Sequence, residues 1–274
     1  MPFTIFSATG CMRCKIVKSY MDDHAMVYED NDIKAFGKDA FNLFYRENRP
    51  DIYRGKDGVE FPILFTGEKI RQGVGEILAF LKAEDRLNDC IKRSDLSHGW
   101  ISGLEISAND ASTSDDFLEI LRYIKTHGLL IQLETDGQNA SLLEIMITEG
   151  LVDRLIFQLR GPAKLYEVIT GYPLKKEELC TSLSLAVKSP EYRIILSIAC
   201  LERSDGNLGF LTHEEATQAA ALVEQATGSK KHPFFIKGVV PAPEMDIAPL
   251  PSTAFFKYRT ACRPHVVSAE ILQD

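Results

Sequence analysis

From residue 104 to residue 239 the chain alternates short apolar runs with amphipathic stretches, and no other feature restricts its fold so tightly. Residues 104–106, 129–133, 154–159, 193–198 and 234–239 read as strands. Residues 115–125, 142–147, 165–169, 177–187 and 214–226 read as helices. Strands separated by helices are satisfied by a parallel sheet with helices packed on it. Five such strands in about 140 residues are too few for a closed eight-fold barrel, so an open, partial barrel of β/α units is expected.

The first 82 residues carry a different order. Residues 3–7 read as a buried strand, and a helix follows from Cys11 with Ile16, Val17, Tyr20 and Met21 on its apolar face. Residues 26–28 form a second strand, ended by the acidic cluster Glu29-Asp30-Asn31-Asp32. A helix over 33–47 places Phe36, Ala40, Phe41, Phe44 and Tyr45 at helical spacing. After a turn at 54–58, residues 59–65 form a strand containing Pro62, with 68–70 as its hairpin partner. Gly73-Val74-Gly75-Glu76 opens a last helix. Charged residues 83–93 prolong it into a linker, and 94–99 break the pattern before the only tryptophan, Trp100. The expected organisation is a domain over 1–82, a helical linker over 83–99 and a β/α domain over 100–274.

Cys11-Met12-Arg13-Cys14 lies where the first strand turns into the first helix. At a helix start the N–H groups lack partners and the macrodipole is positive, which favours a thiolate. The second cysteine lies one turn on and can close a disulfide with the first. Arg13 and Lys15 add Coulomb attraction for the thiolate. A C-x-x-C beside a β-α-β pattern reads as a redox motif, while half a metal site or an inactive remnant are the alternatives.

The order β-α-β-α-β-β-α, the dithiol at the first helix and the proline inside the third strand resemble glutaredoxins and the wider thioredoxin superfamily over residues 1–82. The resemblance implies a thioredoxin-like fold in which Pro62 is cis and its backbone lies against the disulfide. Phe61-Pro62 would then present a main-chain edge to substrate. It also implies that Gly73, Val74, Gly75 and Glu76 hold the carboxylates of glutathione through backbone N–H groups. Met12-Arg13 departs from the dipeptides usual between the cysteines, so neither substrate nor potential carries over. Catalysis would rest on Cys11 as nucleophile, Cys14 as resolving thiol, Pro62 as substrate guide and Arg13 as thiolate stabiliser.

A second resemblance covers about 100–240. Gly103-Leu104-Glu105-Ile106-Ser107, Leu133-Glu134-Thr135-Asp136-Gly137 and the stretch from Asp153 through Arg160-Gly161-Pro162 to Ile169-Thr170-Gly171 look like radical S-adenosylmethionine activases. The relatives in question activate anaerobic ribonucleotide reductase and pyruvate formate-lyase. The C-x-x-x-C-x-x-C that would hold a [4Fe–4S] cluster is missing, and Cys90 stands alone near its place. The family's Gly-Gly-Glu is replaced by Ala108-Asn109-Asp110. Neither an iron–sulfur cluster nor adenosylmethionine is therefore expected. What remains are polar residues at strand C-terminal ends, where α/β folds bind ligands: Ser107, Asn109, Asp110, Glu134, Thr135, Asp136, Gln158 and Arg160. Their other reading is as loop caps and turn formers.

Six cysteines in 274 residues do not make a disulfide scaffold. Cys180 and Cys200, in apolar surroundings, read as inert core thiols. Cys262, in the basic run from Lys257 to Arg263, reads as the more reactive one. The six histidines show no paired metal spacing, and no metal site is expected. The net charge of −8 falls wholly on residues 83–274, which hold 19 basic and 27 acidic side chains; residues 1–82 hold 12 of each. Neither part offers the basic face that nucleic acid needs. No apolar run reaches the roughly 18 residues of a membrane span, and the N-terminus lacks a signal-peptide layout, so the cytoplasm is expected.

The function expected is that of a thiol–disulfide oxidoreductase with an appended, non-radical β/α domain for partner or ligand binding. Its partner would be glutathione or a disulfide-containing protein. The alternative is a non-catalytic adaptor or regulator of an anaerobic radical enzyme.

Overall fold

Ile5, Phe6 and Ser7 are buried, and they place strand β1 (Phe3–Ser7) inside a sheet rather than at its edge. Around it the chain forms helix α1 (Met12–Asp23), strand β2 (Tyr28–Asp32), helix α2 (Lys38–Glu47), a two-residue hairpin β3 (Arg54–Gly55) and β4 (Gly58–Val59), strands β5 (Ile63–Phe65) and β6 (Ile70–Gln72), and helix α3 (Val74–Ala83). The sheet order is β2-β1-β5-β6, with β2 parallel to β1, and β5 antiparallel to both β1 and β6. This computed structural model describes residues 2–56, 58–93, 99–107, 112–203 and 206–272.

The chain forms two compact units, Met1–Ile131 and Gln132–Asp274. The first therefore takes in the 83–99 segment, strand β7 (Trp100–Glu105) and helix α4 (Ser114–Thr126). In α1 and α4 the apolar content lies where helical spacing predicts. Helix α1 buries Cys14, Ile16, Val17, Tyr20 and Met21, and α4 buries Phe117, Leu118, Ile120, Leu121 and Ile124. A second cluster joins Phe6, Phe44, Ile52 and Ile63, with Phe6 and Phe44 stacked at 4.5 Å.

Four local expectations fail here, each for a stated reason. The acidic cluster does not end β2; it is β2. An edge strand needs only one buried face, and the carboxylates find partners: Asp30 accepts from Ser7 Oγ at 2.6 Å and from Lys18 Nζ at 2.7 Å. The following helix starts at Lys38, not Ile33, because Asp32 forms a turn of its own. Its Oδ1 accepts from Lys34 N–H at 2.9 Å, and its carbonyl accepts from the N–H groups of Ala35 and Gly37. Phe36, expected on the apolar face, is accordingly 79% exposed. The strand expected over 59–65 is broken, with Gly58–Val59 pairing with Arg54–Gly55 and Pro62 outside either strand, and Ile63–Phe65 pairs with Ile70–Gln72 rather than residues 68–70. Helix α3 does not run on through Arg93. It stops at Glu84, whose φ is +51°, and a 3-10 turn over Glu84–Leu87 carries Leu87, Cys90 and Ile91 into the interior.

The second unit begins within β8 (Leu130–Thr135). It continues with helix α5 (Ala140–Thr148), strand β9 (Arg154–Leu159), helices α6 (Tyr166–Thr170) and α7 (Lys176–Ala186), and strand β10 (Glu191–Ile198). A hairpin of β11 (Cys200–Glu202) and β12 (Leu208–Phe210) precedes helix α8 (His213–Thr227), strand β13 (Phe234–Gly238), helix α9 (Phe255–Cys262) and strand β14 (Ala269–Ile271). Strands β8, β9, β10, β13 and β14 lie side by side in chain order, and every neighbouring pair is parallel. Right-handed crossovers that never reverse direction put successive helices on the same side of a sheet. In keeping with this, α5, α7, α8 and α9 pack in succession.

The alternation thus yields a mixed α/β chain with a parallel sheet, as its pattern implies. The hairpin, α9 and β14 had no periodic signal long enough to find them. Helix α8 starts with a capping box in which Thr212 and Glu215 bond reciprocally to each other's backbone N–H groups. No helix among the described residues is long and apolar enough to cross a membrane.

Candidate functional site

The loop before the dithiol is pinned from β2. Thr9 N–H donates to Asp32 Oδ1 at 3.1 Å, its hydroxyl bonds Oδ2 of the same carboxylate, and Lys34 Nζ donates to the Thr9 carbonyl at 3.1 Å. The Thr9 hydroxyl bond, helped by the Lys34 N–H, holds the Asp32 carboxyl below the usual carboxylate range. Gly10 supplies the positive φ, +83°, that turns the chain into α1. Asp32 was not among the residues expected to matter. A Thr-Gly pair ahead of a helix-capping cysteine, with an acid at the end of the neighbouring parallel strand, was the available signal.

Cys11 is the N-cap of α1 and Cys14 lies in its first turn; the two form a disulfide. Cys11 is half-buried and Cys14 is 2% exposed. Cys14 N–H donates to the Cys11 sulfur at 3.1 Å, the bond a capping side chain makes at a helix N-terminus. That N–H points at the atom on which a thiolate would form, and it would favour the charge there.

The Phe61–Pro62 peptide is cis, Pro62 is buried, and the Phe61 carbonyl oxygen lies 4.0 Å from the Cys11 sulfur. The Phe61 ring packs away into the core, 5.2 Å from that of Phe41. Its main chain is therefore the part left beside the sulfur.

Arg13 does not simply face the cysteines. Its Nη1 forms an ion pair with Glu60 Oε1 and its Nη2 donates to the Trp100 carbonyl at 3.3 Å. Glu60 Oε2 also lies 3.6 Å from Arg93 Nη1, and the Arg93 guanidinium stacks 3.2 Å above the Tyr53 ring. Glu60, Arg93 and Tyr53 come from three loops, so no sequence spacing could have joined them.

At the α3 terminus, Gly73 N–H donates to the Pro62 carbonyl at 3.0 Å, which ties this helix to the peptide beside the disulfide. Val74 and Gly75 are buried. A methyl group added at Gly75 would come within 3.3 Å of Ile91 and 3.6 Å of Ile101. Glu76 turns back to accept from Gln72 N–H at 3.3 Å and lies 3.9 Å from Arg71; burial raises its carboxyl above the usual range. Of the residues expected to meet an external carboxylate, Gly73, Val74 and Gly75 are buried and Glu76 is half-buried.

In the second unit the expected ligand residues are occupied locally. Thr135 is fully buried and its Oγ1 accepts from Gly137 N–H at 3.1 Å. Asp136 accepts from Gln138 N–H at 3.2 Å, and Gln158 donates to Glu134 at 3.3 Å across neighbouring strands. Arg160 is half-buried at the end of β9, where its N–H meets the hydroxyl of the buried Tyr166. Asn109 and Asp110 lie outside the described residues. Among the described residues no group of three or more His, Cys, Asp or Glu side chains is placed to hold a metal ion. Cys90 is buried, and among the described residues no cysteine triplet accompanies it, so the donors do not fit a [4Fe–4S] cluster.

Cys262 departs most from expectation. It is wholly buried, its thiol donates to the Ala216 carbonyl at 3.6 Å, and burial pushes its pKa up to about 12. The arginines beside it in sequence do not make it reactive. Burial also raises the Cys180 thiol.

These features define a mixed α/β chain with a dithiol at a helix N-terminus in one unit and a parallel sheet in the other. No protein-family model and no curated protein matches the sequence. Among solved structures, a domain of the pyruvate-formate lyase-activating enzyme of Bacteroides vulgatus is similar at 11% identity with a TM-score of 0.43; the match covers 59% of this chain and 92% of that one. Coproporphyrinogen III oxidase of Escherichia coli, a radical SAM enzyme, is similar at 11% identity and 0.43, over 68% of this chain and 43% of that one. Similarity at this level establishes neither a family nor an activity for this chain.

Proposed function

We propose that the chain is a thiol–disulfide oxidoreductase whose reactive pair is Cys11 and Cys14, on a thioredoxin-like module formed by residues 1–82. The observation that carries the reading is the asymmetry of the pair: the half-buried Cys11 caps a helix N-terminus, faces the Phe61 carbonyl and accepts from Cys14 N–H, while Cys14 is buried behind it. In the reduced protein the Cys11 thiolate attacks one sulfur of a substrate disulfide, forming a mixed disulfide and releasing the first substrate thiolate. Cys14, losing its proton, attacks the Cys11 sulfur and releases the second. Two electrons pass from the dithiol to the substrate, and the Cys11–Cys14 disulfide remains for an external dithiol to reduce.

Burial of Val74 and Gly75 favours a protein disulfide over glutathione as the partner. The second unit is proposed as a non-radical partner- or ligand-binding domain with the order of a partial β/α barrel, its binding edge at the C-terminal ends of its strands. Reduction of insulin disulfides by the full chain, with dithiothreitol as electron source, tests the proposal. Cys11→Ser should abolish turnover, and Cys14→Ser should trap a mixed disulfide on Cys11. Trapping on Cys11→Ser instead would reverse the roles, and undiminished turnover in both variants would leave the adaptor reading in place.

A further inference from the structure

With Cys11 and Cys14 joined in a disulfide, the Arg13 guanidinium has no thiolate to face. It is committed elsewhere, with Nη1 on the Glu60 carboxylate and Nη2 on the Trp100 carbonyl at 3.3 Å. Glu60 is in turn fixed from three directions. Its carbonyl accepts from Gln72 Nε2 at 2.8 Å, its second carboxylate oxygen lies 3.6 Å from Arg93, and its chain runs directly into Phe61, whose carbonyl is 4.0 Å from the Cys11 sulfur. The ion-paired side chains are mostly covered, at 15% exposure for Arg13, 20% for Glu60 and 24% for Arg93, so solvent screens them little.

We propose that Glu60 is a positioning residue that sets the acidity of Cys11 by holding Arg13. In the disulfide the sulfurs are uncharged, and the guanidinium rests on Glu60. On reduction a Cys11 thiolate at the helix N-cap, two residues before Arg13, competes with Glu60 for the same cation. A carboxylate tied to Arg13 withholds part of the attraction that would lower the thiol pKa, and its own charge repels the thiolate. Glu60 thereby keeps the reduced dithiol less acidic, and the disulfide less oxidising, than a helix N-terminus with Arg13 in its first turn would otherwise make it. Arg93, stacked on Tyr53, keeps the carboxylate near Arg13 by attracting its other oxygen.

This inference rests on the oxidoreductase reading, but its test does not need turnover. The full chain is reduced with dithiothreitol and desalted. The rate of iodoacetamide addition at Cys11 is then followed by mass from pH 5 to 9, for the wild type, Glu60→Gln, Arg13→Met and the double variant. Glu60→Gln should lower the Cys11 pKa by about one unit, a tenfold gain in thiolate at pH values below it. Arg13→Met should raise the pKa more in the Glu60→Gln background than in the wild type. Equal acidity in wild type and Glu60→Gln, or an Arg13→Met shift of the same size in both backgrounds, overturns the proposal. Should Glu60→Gln fail to fold, Glu60→Asp takes its place in the same cycle, with a smaller downward shift expected and the same overturning results. A wild type that turns over no disulfide would fail the oxidoreductase reading alone, and an acidity indifferent to Glu60 would fail this inference alone.

Discussion

Cys11 and Cys262 look alike in sequence, each with arginine two or fewer positions away, and the fold gives them opposite chemistry. Cys11 stands at the start of α1, half-buried, with a backbone N–H directed at its sulfur. Cys262 ends α9, where the macrodipole is negative, and no part of it reaches solvent. Its neighbour Arg259 lies 5.1 Å from the Phe256 ring, occupied with another partner. A nearby cation in the sequence says little about a thiol. Which helix end it occupies, and whether water reaches it, decide whether the charge can form.

The largest expected difference is in labelling. In the reduced protein at pH 8, iodoacetamide should modify Cys11 at least a hundredfold faster than Cys262. A thiol with a pKa of about 12 keeps on the order of one thiolate in ten thousand at that pH. Comparable labelling rates in the folded chain would break the comparison. Next in size is an exchange of phenotypes. Cys262→Ser leaves a hydroxyl in an apolar site and should destabilise the chain by roughly 1–3 kcal/mol in urea unfolding while disulfide turnover persists. Cys11→Ser should do the reverse. A smaller effect is the pH dependence. Because the folded Cys262 pKa lies above the unfolded value, the folded state keeps its proton longer. The stability it contributes is present below about pH 8.5 and is lost as pH rises toward 12, so wild type and Cys262→Ala should converge in stability over that range.

Much of the architecture was legible. Residues 154–159 are a strand to the residue, because the apolar residues Leu155, Ile156, Phe157 and Leu159, all buried, dominate a run in which only Arg154 and Gln158 are half-buried. The dithiol was legible too, since a cap, a turn and a cysteine pair are all local. What escaped was everything set by a distant partner. Glu60 and Arg93 meet Arg13 only in three dimensions. Residues 29–32 looked like a strand terminator because their polarity was weighed without Ser7, Thr9 and Lys18 on the adjoining elements. The helix expected from Ile33 lost its first turn to Asp32, and Gly37 packs so closely on Asn31 that an added methyl would sit 2.4 Å from its carbonyl carbon. Such an approach leaves no trace in helical periodicity.

The acidic strand β2 has one further consequence. It forms an outer margin of its sheet, and a margin with open backbone groups invites a second chain to dock and extend the ladder. Glu29, Asp30 and Asp32 lie along that margin. Another copy approaching in register would set a row of carboxylates against its own image, and the repulsion would guard against self-association at neutral pH. Asp32, which anchors the loop ahead of the dithiol, would thereby also help to keep one molecule from stacking onto the next.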